Sequence, residues 1–188
     1  RVISDEIYHG LDYAFAAETA AKLSERAVVI NSFSKYFCMT GWRIGWMVAP
    51  EPLVRPIERL QGNLAISVPT LSQIAAEAAF DGTNEMDAVK HGYEDNRRIL
   101  IEGLPKAGLE RFLPVDGAFY LYADVSRFSD DSHDFAQVLL EQAHVAAPAL
   151  AGDDHAGAGL LVQIAALLGN VAAGAVQRIA DDRGDLQH

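Results

Sequence analysis

Three short segments near the start of the chain carry side chains suited to chemistry. Ser4-Asp5-Glu6-Ile7-Tyr8 sets a carboxylate three residues ahead of a phenol, and Ser32-Phe33-Ser34-Lys35 sets two hydroxyls before an amine. Gly41-Trp42-Arg43-Ile44-Gly45 places a guanidinium among glycines. An amine can act as nucleophile or proton carrier, and a guanidinium fork suits an anionic group. Taken singly, each reads more simply as structure: Asp5 as a turn or cap residue, Lys35 as a solvated lysine, Arg43 as a surface arginine. Order and spacing shift that balance, because Asp-x-x-Tyr is followed about two dozen residues later by Ser-x-x-Lys and then, eight residues on, by the arginine.

These residues need elements to position them. Val2-Ile3 reads as the end of a buried strand, and Val28-Val29-Ile30-Asn31 and Ile44-Gly45-Trp46-Met47-Val48 are apolar runs of strand length. Runs of that kind suit strands covered on both faces in a parallel α/β sheet. In such sheets the loops after strand C-termini form the ligand crevice, so the Asp5 and Lys35 loops are expected to face one pocket. Residues 12–27 read as a short helix or structured loop, and Leu53 to Asn63 has helical spacing. Pro69-Thr70 opens a helix over Leu71 to Phe80, closed by Asp81-Gly82. A longer helix starts near Asn84, is interrupted by Gly92 and stops at Gly103 and Pro105. Gly117 to Asp124 forms a strand, Ser132 to Ala143 a helix, and Ala172–Ala180 a further helix on propensity alone. The alternation indicates an α/β protein, and a change of composition after about Glu85 suggests a second, smaller domain.

Bulk composition narrows the function classes. Half of the 188 residues are hydrophobic and 22% are charged, as expected of a globular chain able to bury a core. A net charge of -11 argues against nucleic acid, whose phosphates need clustered Lys and Arg. The single cysteine, Cys38, excludes an internal disulfide framework and a cysteine-rich metal site, fits a reducing compartment, and reads as a small buried hydrophobe. The histidines lack metal-ligand spacing; His133, His144 and His155 read as surface residues, and Asp153-Asp154 as a solvated loop. Trp42 and Trp46 read as packing residues. The opening residues are too polar for a signal peptide, and the longest apolar runs are too short to span a bilayer, so a cytoplasmic setting is expected. Without an initiator methionine, and with a strand that opens midway, the chain reads as a C-terminal piece of a longer protein.

Asn31-Ser32-Phe33-Ser34-Lys35 through Gly41-Trp42-Arg43-Ile44-Gly45-Trp46 resembles the lysine signature of the class I/II aminotransferases, within the fold-type I pyridoxal-phosphate enzymes. Asn63 to Gln73 and Asp116-Gly117-Ala118-Phe119-Tyr120 are also similar to that family, and the likeness covers about residues 1–145. The resemblance implies residues 1–84 as the C-terminal portion of the large cofactor-binding domain, with a mixed, mostly parallel sheet. It implies residues 85–188 as a smaller α+β domain, with a linking helix at about 84–103. It further implies that Lys35 holds pyridoxal 5'-phosphate as a Schiff base and carries a proton between substrate and cofactor. Asp5 would pair with the pyridine nitrogen, Tyr8 would donate to the phenolic oxygen, and Arg43 with Ser32, and more weakly Ser34, would grip the phosphate. No metal is expected. The implied reaction is amino-group transfer between an amino acid and a 2-oxo acid, in a homodimer.

Two departures from the family pattern stand out. Its N-terminal half is missing, and with it a phosphate loop, a ring-stacking aromatic and much of the dimer contact. The small-domain arginine that fixes the substrate α-carboxylate is replaced in the corresponding stretch, Leu161-Val162-Gln163-Ile164-Ala165-Ala166, by Gln163, and no Lys or Arg occurs between Phe128 and Gln177. The alternatives are a β-lyase of the same fold, since such enzymes share these motifs, and a truncated, non-catalytic remnant, which the two departures favour.

Overall fold

The computed structural model describes residues 2–150 and 159–163, with the side chains of Leu150 and 160–163 left aside. The chain divides into two compact units, Arg1–Lys90 and His91–His188. In the first, β1 (Ile3–Asp5), β2 (Val28–Ser32) and β3 (Gly45–Val48) form one sheet in that order. β1 and β2 run parallel, with Asp5 in register with Ile30. β2 and β3 run antiparallel, with Ser32 opposite Gly45. The short helix α1 (Ala20–Leu23) bridges β1 and β2, capped by the Thr19 hydroxyl accepting from Ala21 N–H.

The sheet corrects two expectations. It is mixed but not mostly parallel among the described residues, because the segment after β2 returns beside it instead of crossing over. Phe33 N–H donates to Ile44 O at 3.2 Å and the Ser32 hydroxyl reaches the same carbonyl at 3.3 Å, closing the loop 33–44 on itself. An apolar run does not encode strand direction; the connection does. Nor are the strands covered on both faces. Val2 and Ile3 are 57% and 71% exposed, and along β3 only Trp46 is half-buried. Among the described residues β1 and β3 each pair with β2 alone, and of the three strands only the central one carries buried residues, Val28 and Val29.

Three helices follow. α2 (Glu51–Leu64) begins with Pro52 in its first turn, where the missing N–H costs nothing, and tolerates Pro56 inside. α3 (Thr70–Ala79) buries Ser72 and Ala76. α4 (Thr83–Gly103) runs unbroken through Gly92, so the expected interruption does not occur. A lone glycine costs a helix only about 1 kcal/mol, which the other twenty residues absorb. The core of the first unit packs Phe33 and Met39 against Ala76, with Phe37 and Trp46 alongside. The Phe33 ring lies 4.9 Å from Trp46 and 5.3 Å from Phe80.

The second unit holds β4 (Tyr120–Asp124), α5 (Ser132–Ala143), β5 (Ala149–Leu150) and β6 (Gly159–Gln163). Its sheet has the order β4-β6-β5 and is antiparallel throughout. Leu100, Leu104, Leu109, Leu121, Phe135 and Leu139 make the core, and Phe128 stacks on Phe135 at 5.4 Å. The Asp131 carboxylate caps α5 by accepting from His133 N–H at 2.7 Å, so helix start and core face are set together. His133 and His144 are exposed, as expected. His155, Asp153-Asp154 and the helix expected at Ala172–Ala180 lie outside the described residues.

Candidate active site

The loop after β1 folds into consecutive turns: His9 N–H donates to Glu6 O at 3.0 Å and Leu11 N–H to Tyr8 O at 2.9 Å. The Glu6 side chain, only 4% exposed, organises them. It accepts from Ala20 N–H at 2.7 Å and lies 3.4 Å from His9 Nδ1. Burial pushes its carboxyl up, but the Ala20 amide, the Thr19 and Ser4 hydroxyls and His9 together outweigh that and hold it below the ordinary value of 4.5. With Glu6 turned inward, its neighbour Asp5 is left exposed at the C-terminal end of β1, its carboxylate taking Ile7 N–H at 3.4 Å. Tyr8 follows, half-buried.

The loop after β2 is more tightly tied. Ser32 Oγ lies 3.0 Å from Ser34 Oγ and accepts from Ser34 N–H at 3.1 Å. The Thr40 hydroxyl donates to Ser34 O at 2.8 Å, and Cys38 N–H to Lys35 O at 3.0 Å. The buried Ser72 hydroxyl reaches across from α3 to Trp42 O at 2.9 Å. These bonds curl 33–42 into a compact turn that places Lys35 Nζ over the face of Tyr8, 5.6 Å from the ring centroid. Two loops distant in sequence thus present their amine and phenol together.

Arg43 ends the turn in the left-handed region, φ 52° and ψ 50°, which is uncommon for a non-glycine residue. Its guanidinium donates to Thr40 O at 2.8 Å and approaches Ser34 Oγ at 3.5 Å. Ser32, Ser34 and Arg43 therefore sit as one hydroxyl-and-guanidinium group at the end of β2. Gly45, the first residue of β3, must lack a side chain: a Cβ there would come 2.5 Å from Asn31 O.

The structure thus joins Lys35 to Tyr8 and Ser32 and Ser34 to Arg43, while Asp5 lies on the neighbouring strand in register with Ile30. Sequence reasoning passed over Glu6, Thr40 and Ser72. Only their partners, 14, 6 and 30 residues away, reveal them. Two minor expectations are corrected. Cys38 is exposed, with a positive φ of 57°, while its neighbours Phe33 and Met39 take the interior. Trp42 is 46% exposed, and its carbonyl, bound by Ser72, is what anchors it.

An amine over a phenol, beside hydroxyls and a guanidinium suited to a phosphate, is a donor set that fits a phosphorylated carbonyl cofactor. The chain belongs to the aminotransferase class I and II family, whose model matches residues 1–153 and whose members use pyridoxal phosphate. It is 48% identical over 168 residues to a valine–pyruvate aminotransferase of Mycobacterium tuberculosis, covering 87% of this chain and 43% of that protein. A (5-formylfuran-3-yl)methyl phosphate transaminase of Methanocaldococcus jannaschii is 36% identical over 150 residues, 77% of this chain and 40% of the relative. Among solved structures, an aminotransferase from Mycobacterium tuberculosis superposes with a TM-score of 0.88 at 42% identity, over 97% of this chain and 49% of that one. The chain therefore spans less than half the length of the curated relatives it matches.

Among the described residues no group of His, Cys, Asp and Glu could hold a metal ion, and no helix is long and apolar enough to cross a membrane.

Proposed function

We propose that this chain serves a pyridoxal-phosphate-dependent aminotransferase that moves an amino group between an amino acid and a 2-oxo acid. The observation that carries the reading is Lys35 Nζ over the Tyr8 ring, next to the Ser32, Ser34 and Arg43 group. Pyridoxal phosphate, when bound, supplies an electron sink for negative charge at the substrate Cα. Lys35 would hold the cofactor through its amine, and the same amine is the group that would carry the Cα proton. Asp5 would pair with the pyridine nitrogen, Tyr8 would donate its hydroxyl to the phenolic oxygen, and Arg43, Ser32 and Ser34 would hold the phosphate. In this reading residues 1–84 belong to the large cofactor domain and 85–188 to the small one, joined by the helix at about 84–103. A second copy is the expected partner and the cytoplasm the expected setting.

The test is direct. The purified chain mixed with pyridoxal phosphate should develop visible absorption, and borohydride should fix the label on Lys35, as read by peptide mass spectrometry. Absence of the label, or equal labelling of Lys35→Ala at another residue, would sink the reading.

Gln163 favours a second reading. It ends β6 opposite Tyr120, in the stretch where the family resemblance places a carboxylate-binding arginine, and an amide cannot supply a charged bidentate contact. A chain of that kind would hold cofactor yet grip amino acids poorly. Absorption that forms but does not bleach with amino acids identifies this case, and keto acid released with ammonia, without an amino acceptor, identifies a β-lyase.

A further inference from the structure

Tyr36, next to Lys35, faces away from the turn that carries it. Its ring lies flat against Gly10, where φ is +92° and an added Cβ would sit 2.7 Å from the ring carbons. Its hydroxyl donates to Asp87 Oδ1 on α4 at 2.8 Å. Burial, followed by this carboxylate acceptor, pushes the phenol up to about 12, so it remains a donor at every physiological pH. One helical turn further along α4, Lys90 Nζ binds Asp12 Oδ1 at 3.0 Å, with both side chains less than a quarter exposed. Asp12 Oδ2 in turn accepts Ala17 N–H at 2.9 Å.

The first turns of α4 therefore grip both loops of the site. Asp87 holds the Lys35 loop through Tyr36, and Lys90 holds the Tyr8 loop through Asp12. Gly10, two residues after Tyr8, is a second place where the loops meet, beside Lys35 over the Tyr8 ring. A residue of any other type at position 10 would push the Tyr36 ring, and Lys35 with it, out of place.

We propose that Tyr36 is a positioning residue, and that its seat on Gly10 and its hydrogen bond to Asp87 set where the Lys35 amine stands relative to Tyr8. The inference deepens the reading of Lys35 as the cofactor lysine and rests on it for its functional meaning. Its geometry can be tested without cofactor.

The experiment is trace acetylation of the full, cofactor-free chain with acetic anhydride. The labelling of Lys35 is divided by that of the exposed Lys106 in the same sample, and the thermal midpoint is followed in parallel. Tyr36→Phe and Asp87→Leu each remove the same hydrogen bond, and the leucine keeps the branched outline of the carboxylate. Both should raise the Lys35/Lys106 ratio by about fivefold, the ratio expected when one net hydrogen bond no longer restrains the loop. The double variant should go no further, since both changes delete one contact. Leu139→Ala, in the core of the other unit, should lower the thermal midpoint and leave the ratio alone. An unchanged or lowered ratio in folded Tyr36→Phe and Asp87→Leu would overturn the proposal. So would additive effects in the double variant, or an equal rise in Leu139→Ala. Adding pyridoxal phosphate afterwards separates the two readings: a parent chain that takes up none refutes the cofactor role but not the positioning.

Discussion

At the scale of single residues, the site depends on groups that look unremarkable in sequence. Glu6 is the clearest, a buried carboxylate whose acceptors shape the loop that leaves Asp5 exposed. Its folded value lies below the ordinary 4.5, so its contribution to stability is present above about pH 4.5 and is lost as pH falls through the folded value. Glu6→Gln should destabilise the chain by roughly 1–3 kcal/mol at neutral pH, the cost of weakening charge-assisted hydrogen bonds at a buried site. It should also flatten the acid limb of stability against pH, measured by urea melts between acid and neutral pH. Arg43 makes a complementary case. Arg43→Lys keeps the charge but loses the fork, and should weaken pyridoxal phosphate binding about tenfold, read by absorbance titration. Unchanged affinity would remove Arg43 from the phosphate site. Lys35 and Arg43 were legible because their types and spacing are rare together. Glu6, Tyr36, Thr40 and Ser72 were not, because a carboxylate or hydroxyl announces nothing until a distant backbone group meets it.

At the scale of elements, the helices were the readable part. Ser132 to Ala143 matched α5 at both ends because a cap residue, Asp131, precedes an apolar period. Asp131→Ala should cost about 1 kcal/mol by removing acceptors for His133 and Asp134 N–H. The measure is the thermal midpoint, with loss of amide protection confined to the first turn of α5. The strands were readable in place but not in direction or cover. β3 pairs antiparallel with β2 because hydrogen bonds from Phe33 and Ser32 to Ile44 bring the loop ends together, and no periodicity in residues 44–48 encodes that. α4 shows the opposite error. A glycine that reads as an interruption is carried through, because a continuous ladder of helical bonds outweighs one unfavourable residue.

At the scale of the whole molecule, two hydrophobic cores are seen among the described residues. In the second unit Leu139 is fully buried among Leu100, Leu121 and Phe135, so Leu139→Ala should cost about 2–5 kcal/mol through lost transfer energy and a cavity, seen as a lower urea midpoint. In the first unit the rings of Phe33, Phe37, Trp46 and Phe80 pack on one another, with Phe33 and Phe37 belonging to the lysine turn itself. Sequence alone determined the kinds of groups present, the α/β alternation, most helix extents and the family whose lysine segment this is, since those depend on local propensity, period and residue order. Only the tertiary structure decided that the amine of Lys35 meets the ring of Tyr8, that Ser34 meets Arg43, and that α4 grips both loops through Asp87 and Lys90. Those meetings join residues up to 78 positions apart. Their geometry follows from how packed surfaces close on each other, which no local stretch of chain encodes.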